Sequence, residues 1–290
     1  MVARWAPELG ALLMGGLLLL LVPASRGQSV SYTATLQYTT GDYIFADRTD
    51  GGAFVQALDV SGERYRVGVQ LPLLYQSTPW VSYTSGGPLP SGGPQNGAVG
   101  RGRTSAEGQQ GQGPGARRPI ALPDTVSVPD VGVGDPTLSA DLTLVSAGPG
   151  RPGVQVTGRL KVPVADVDRG FGTGAWDAGL GVSISQPLLP WFLLADATVW
   201  WMGDMDDLAL NEHLSYSVGV GRVLGQGEVG LLATLAGSTV IIDGTDAPLQ
   251  ALLGVQFMPS DRWSLSASGG WGLSDTAPDL ALSLGGSVRL

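Results

Sequence analysis

The sequence predicts an all-β protein: a transmembrane antiparallel up-and-down β-barrel of about twelve strands with a long disordered extracellular loop. Three observations predict this fold. Apolar and polar residues alternate in short segments, the connections between those segments are alternately short and long, and no apolar run is long enough for a membrane helix. The chain has 290 residues, 43% hydrophobic but only 14% charged. Its one long apolar run, 9–22, falls short of the roughly 20 residues that a membrane helix needs, and a closed barrel is the other structure that can span a bilayer.

The N-terminus resembles a secretory signal peptide. Arg4 supplies the positive start, residues 9–22 the apolar centre, and Ser25-Arg26-Gly27 a small-x-small cleavage site before Gln28. A buried helix is the alternative. We therefore expect residues 1–27 to be a signal peptide and residues 28–290 to form an outer-membrane β-barrel.

The strands follow from alternation with a period of two. Between 137 and 147, for example, Leu138 and Leu142 fall on one face and Ser139 and Asp141 on the other. The same pattern, less cleanly before residue 75, predicts strands at 29–39, 52–60, 64–74, 137–147, 153–163, 177–186, 191–202, 212–223, 227–237, 248–258, 262–271 and 280–290. Twelve is an even number, as in bacterial single-chain barrels.

The connections between these strands fall into two classes. Counted from a periplasmic N-terminus, every second connection is short: 61–63, 148–152, 187–190, 224–226 and 259–261. The others are longer: 40–51, 75–136, 164–176, 203–211, 238–247 and 272–279. This asymmetry is typical of periplasmic turns and extracellular loops, and it predicts the outer membrane of a Gram-negative bacterium.

Aromatic residues mark both ends of the strands. Trp191, Phe257 and Trp263 lie at the periplasmic ends, and Trp176, Trp200, Trp201 and Trp271 at the outer ends. Two levels of tryptophan are typical of the girdles at the membrane interfaces. Small residues on the polar face should keep the interior of the barrel open: Gly179, Gly181, Ser183, Ser185, Ser215, Ser217, Gly219, Ser266 and Ser283.

One loop carries a family resemblance. The segment LKVPVADVDRGFGTGAWDAGL, 160–180, resembles a signature of the outer-membrane proteins grouped under the meta-pathway of phenol degradation. The matching residues are Lys161, Pro163, Asp166, Gly170, Gly172, Thr173, Gly174 and Asp177, and the C-terminal segment matches at Pro278 and Asp279. The resemblance covers about 135–290. It departs at Val164, where threonine is frequent, and at Leu290, where an aromatic residue would favour recognition by the barrel-assembly machinery. It implies a transporter for small solutes, with aromatic or hydrophobic compounds as candidates.

Charged residues on the polar face are the candidates for lining a pore. They are Asp141, Arg159, Lys161, Asp196, His213, Glu228 and Arg289. If the hairpin of 137–147 and 153–163 is symmetric about Gly150, Asp141 lies opposite Arg159 and Ser139 opposite Lys161. Fixed charges of both signs on a pore wall would filter solutes by charge.

Two other functions compete with a channel. A barrel lipid hydrolase could use His213 and Ser215 with Glu228 as their partner, but the apolar residues Leu214, Tyr216 and Val218 place both on the inward face, and such enzymes have asparagine where Tyr216 stands. We therefore predict no enzyme activity. A structural or adhesive surface barrel is the third alternative.

Composition restricts partners and cofactors. The chain has no cysteine and one histidine, which argues against disulfides, thiolate catalysis, a metal site or another cofactor. A net charge of −9 disfavours nucleic acid. Expected partners are outer-membrane lipid and lipopolysaccharide, the barrel-assembly machinery and a small solute.

The long loops differ in composition. Residues 85–118 contain many glycines and no aromatic residue, so we expect them to be disordered. Aspartates in the other loops would favour cations at a pore mouth, bind divalent ions that bridge lipopolysaccharide, or simply keep the loops soluble.

Overall fold

The computed structural model describes residues 27–84, 86–100, 119–122, 130–225 and 227–290. The expected signal peptide, 1–27, lies outside this part of the chain except for Gly27. In the described residues the strands are β1 Ser29–Gly41, β2 Thr49–Ser61, β3 Tyr65–Gln76, β4 Ser82–Thr84, β5 Gly87–Leu89, β6 Asp130–Val133, β7 Thr137–Val145, β8 Gly153–Lys161, β9 Asp177–Leu188, β10 Trp191–Trp201, β11 His213–Leu224, β12 Val229–Ser238, β13 Leu249–Ser260, β14 Trp263–Gly272 and β15 Leu280–Arg289. A 3-10 helix, Gly93–Gln95, precedes a helical stretch at 96–100.

No helix among the described residues is long and apolar enough to cross a membrane.

Twelve of these strands form a closed antiparallel barrel, which confirms the predicted fold class. Sequence neighbours pair in order from β7 to β15, β1 pairs with both β2 and β15, and β3 pairs with β2 and β7. Closure runs from Ser31 opposite Arg289 to Thr40 opposite Leu280. The strand β6 extends the sheet beside the end of β3, while β4 and β5 form a separate hairpin. All twelve predicted strands are present, with ends shifted by a few residues.

The outer face of the barrel is apolar, as alternation with a period of two requires. Seven residues from seven strands are between 40% and 55% exposed: Leu142, Leu180, Val199, Val218, Leu231, Leu253 and Leu282. Exposed large side chains in such number form the lipid-facing band of a membrane barrel.

Five tryptophans lie on this outer face near its two edges: Trp176, Trp191, Trp201, Trp263 and Trp271. Trp200 does not belong to these girdles. Its exposed fraction is only 2%, since even-numbered residues of β10 point into the barrel. Trp200 lies at the outer end of its strand, as predicted, but its predicted role at the membrane interface is wrong.

Short turns and long connections alternate as predicted. The predicted disorder of 85–118, in the long connection between β3 and β7, is wrong for the residues that the structure describes there. Residues 86–100 are folded, and Val99 is completely buried. The segment has no aromatic residue of its own, but it packs in one cluster with Tyr43, Phe45 and Trp80, which belong to other parts of the chain. Residues 101–118 lie outside the described residues.

These packed loops form an apolar cluster, which we call the extracellular cap. It brings together four of the long connections, including the β4–β5 hairpin within the connection from β3 to β7. Its buried members are Tyr43, Ile44, Phe45, Trp80, Val81, Leu89, Val99, Leu122, Met205, Leu208, Leu210 and Ile242. Backbone hydrogen bonds join the loops, among them Ile120 N–H to Ile44 O at 2.9 Å and Asn211 N–H to Ile241 O at 2.8 Å.

Candidate solute pathway

A cavity of about 670 Å³ lies inside the barrel below the extracellular cap, and we call it the lumen cavity. Nine of the twelve barrel strands line it, all except the adjacent β2, β3 and β7, and the β4–β5 hairpin, including Thr84 and Leu89, covers it from the loop side. A space of this size is in the range of binding sites for small molecules.

Small polar side chains form much of the cavity wall. Ser268 and Ser283 face each other from β14 and β15, with their hydroxyl oxygens 2.8 Å apart. Thr157, Thr198 and Ser217 line the other side. These short side chains keep the centre of the barrel free while presenting hydroxyl groups to it.

The wall also has an apolar part. Leu252 on β13 leans over Gly270 of β14, and Ala281 of β15 follows in the same row. Ala236 and Leu89 line the same cavity. The lumen cavity therefore offers both hydroxyl groups and hydrocarbon to a solute.

Three of the predicted pore-lining residues, Arg159, Asp196 and His213, line the lumen cavity. Asp196 accepts hydrogen bonds from the hydroxyls of Ser183 at 2.5 Å and Ser217 at 2.9 Å. Within the described part of the chain, the Arg159 guanidinium has neither an ion pair nor a hydrogen bond. Its charge therefore faces the cavity without a partner among the described residues.

The predicted pairing of Asp141 with Arg159 is wrong. In the structure Asp141 lies opposite Thr157, and Ser139 opposite Arg159. Asp141 accepts a hydrogen bond from the Thr157 hydroxyl at 2.7 Å and lies 3.8 Å from the Arg66 guanidinium. Its side chain is 15% exposed, and it is absent from the lining of the lumen cavity.

Lys161 does not line a pore either. Its side chain is 1% exposed, and it lies opposite Thr137 rather than Ser139. The ammonium contacts Asp177 at 2.9 Å and Asp135 at 3.5 Å, and donates to the Thr173 hydroxyl at 2.5 Å. Three residues of the family signature thus form a buried ionic cluster.

This ionic cluster holds the loop after β8. One carboxylate oxygen of Asp135 accepts from the backbone N–H groups of Val164 and Ala165, both at 2.8 Å. Asp177 accepts from the backbone of Gly203 at 3.3 Å. Local pattern does not identify Asp135 as a partner, because it lies in a loop 26 residues before Lys161.

His213 and Ser215 point inward, as the sequence predicted, but they do not form a catalytic pair. The Ser215 hydroxyl accepts a hydrogen bond from the Trp200 indole at 2.9 Å. The His213 ring stacks on Trp200, with ring centroids 6.5 Å apart, and its Nδ1 lies 3.4 Å from the Asn211 carbonyl. No hydrogen bond joins His213 to Ser215, although both are described.

The last two predicted residues lie at the periplasmic end. Glu228 is exposed in the turn before β12, not on a strand, and Arg289 is exposed at the end of β15. Neither lines the lumen cavity. Arg66 also does not line the cavity, but it is a charged inward residue beside Asp141 that the prediction omitted, although alternation along β3 could have identified it.

The described residues contain no group of three or more histidine, aspartate or glutamate side chains that could hold a metal ion. Among the aspartates outside the twelve barrel strands, Asp279 pairs with Arg48 at 3.0 Å, and Asp130, the first residue of β6, pairs with Arg169. The hydrogen bond from Arg169 lowers the pKa of the Asp130 carboxyl.

Comparison with known proteins agrees with this architecture. A family model described as "Putative MetA-pathway of phenol degradation" matches residues 73–290. No curated protein matches the sequence. Among solved structures, an outer membrane channel from Pseudomonas putida F1 is similar with a TM-score of 0.60 at 16% identity, covering 92% of this chain and 97% of that one. The NanC porin has a TM-score of 0.51 at 7% identity, with 89% and 100% covered. At these identities the likeness concerns the fold.

Proposed function

Because this chain belongs to the family described for the MetA-pathway of phenol degradation, we propose that it is an outer-membrane channel for the passive passage of small solutes. The observation that carries the proposal is the lumen cavity, which lies inside a closed barrel whose outer face is apolar. A barrel that served only as an anchor would have no need of an open interior. The apolar belt supports a location in the outer membrane of a Gram-negative bacterium.

The lining of the cavity suggests the class of solute. Hydroxyl groups and hydrocarbon face the same space, so a small molecule with an apolar body and a polar group would find partners for both. Aromatic and other hydrophobic solutes of this kind fit the family description. The two similar structures, a channel and a porin, support passage rather than catalysis.

The geometry does not favour the lipid hydrolase. A nucleophilic serine needs its base within hydrogen-bond reach, and Ser215 is instead bonded to the Trp200 indole. Both residues also face the lumen and not the bilayer, where a lipid substrate would lie.

Single-channel recording tests the proposal. We expect the purified full-length protein, inserted in planar bilayers, to give stepwise currents that the heat-denatured protein does not give. A correctly folded barrel that gives neither current nor solute flux would overturn the channel and favour a structural or adhesive role.

A further inference from the structure

The extracellular cap lies directly on the solute pathway. Leu89 belongs both to the cap and to the lining of the lumen cavity, and Ile241 packs against the cap while also lining the cavity. A solute that enters from outside at this point meets hydrocarbon before it meets the hydroxyl groups of the cavity.

One polar group within the cap has no partner. Trp80 is 6% exposed, and its indole N–H is buried without a hydrogen bond to any part of the described chain. The ring is packed against Phe45, with centroids 5.6 Å apart at 51°. The indole of Trp200, in contrast, donates to Ser215 at 2.9 Å. A buried donor without a partner is uncommon and destabilising, so it calls for an acceptor from elsewhere.

The surroundings of Trp80 restrict what this acceptor can belong to. The twelve buried cap residues carry no charged side chain, and burial raises the pKa of the Tyr43 phenol, which keeps it neutral. A charged solute would lose its hydration here without an opposite charge to replace it. A neutral molecule with a hydrocarbon body loses little and gains contact with Phe45 and Trp80.

We propose that the extracellular cap is a binding site for a neutral, largely apolar solute that accepts a hydrogen bond from the Trp80 indole. This inference rests on the proposed channel function and adds a first site on the route to the lumen cavity, which the solute reaches past Leu89. The cap residues are closely packed, so the loops must separate as the solute binds.

Two probes of nearly equal shape test the hydrogen bond. Acetophenone and ethylbenzene share a ring and a two-carbon chain, but only acetophenone carries an acceptor. In the full-length protein with ¹⁵N-labelled tryptophan, in nanodiscs, acetophenone should shift the indole resonance that disappears in Trp80→Phe, and ethylbenzene should leave its hydrogen-bond state unchanged. Trp80→Phe should weaken acetophenone binding about fivefold, the effect of one neutral hydrogen bond, without weakening ethylbenzene.

Trp176→Phe is the matched control, because Trp176 is 56% exposed on the outer face and should affect neither probe. A Trp80 indole resonance that acetophenone shifts no more than ethylbenzene does would overturn the proposal, and so would a wild-type spectrum in which no indole resonance responds to acetophenone, even if Trp80→Phe failed to fold. The proposal would also be overturned if the Trp80 indole bonded only to a bound water, which would appear as exchange of the indole proton with water that acetophenone does not alter. If the protein conducts ions but gives any of these results, the proposed channel stands and the proposed cap site fails. If it binds acetophenone through Trp80 but does not conduct, the cap site stands and the channel fails.

Discussion

Lys161 shows how a residue can match a family signature and still not take part in transport. Alternation predicted that it lies on the polar face of its strand, which is correct, and therefore in the pore, which is wrong. Its ammonium is buried between Asp135 and Asp177. Alternation tells which face a side chain occupies, but not whether a loop folds over it, and residues 162–176 return to cover this one.

Removal of Lys161 should therefore destabilise the fold. Lys161→Ala leaves two carboxylates buried without their cation, and we expect a cost of about 3–5 kcal/mol. Arg159→Ala, two residues earlier on the same face, removes an exposed and unpaired charge and should cost under about 1 kcal/mol. Equilibrium urea unfolding of both variants in lipid measures the difference. Similar losses in the two variants would show that the cluster does not hold the loop.

Arg159 is the residue that we expect to affect ion selectivity. Arg159→Ala leaves Asp196 as the charge of the opposite sign in the lumen cavity, so the reversal potential in a salt gradient should shift toward cation preference. Arg151→Ala is the control, since it removes the same charge from the exposed turn between β7 and β8. A shift of equal size in both variants would indicate a general charge effect, and no shift in either would place Arg159 off the conducting path.

At the level of elements, the sequence correctly predicted that β7 and β8 form a hairpin, but the predicted register between the two strands was wrong. The turn is centred between Pro149 and Gly150, because Gly148 pairs with Arg151, and not on Gly150 itself. A bulge between Thr143 and Val145 adds a further shift of one residue. Together the turn and the bulge shift the register by two residues. Because faces alternate with a period of two, every residue keeps its predicted face while its partner on the opposite strand changes. A bulge disturbs alternation for only one residue, which is too little to detect in a sequence.

Engineered cysteines test the observed register, and the natural chain has no cysteine to interfere. Ser139→Cys with Arg159→Cys should oxidise to a disulfide, because directly opposite residues are within bridging distance. Asp141→Cys with Arg159→Cys, the pair expected from symmetry about Gly150, should remain reduced because diagonal neighbours are about 7–8 Å apart. Gel mobility before and after reduction distinguishes the pairs, and the opposite pattern would restore the symmetric hairpin.

At the level of the whole molecule, strand number, alternation of loops and the lipid-facing band all followed from local patterns. The extracellular cap did not. The residues that it joins are far apart in the chain, and no local sequence pattern predicts that their loops meet. They include Ile44, Trp80, Met205 and Ile242. For the same reason the folding of 86–100 was missed, since its partners lie in other loops. The lumen cavity could be expected from the small inward residues, but its apolar part at Leu252 could not.

Solutes should pass through the lumen cavity inside the barrel, and two adjacent residues of β14 test this passage most directly. Ser268 lines the cavity, while Ala267 lies on the opposite, lipid-facing side of the strand. In planar bilayers, Ser268→Trp should greatly reduce the single-channel conductance by filling the cavity, whereas Ala267→Trp, with its new ring in the bilayer, should conduct like the wild-type protein. Equal conductance in all three proteins would contradict a path through this cavity.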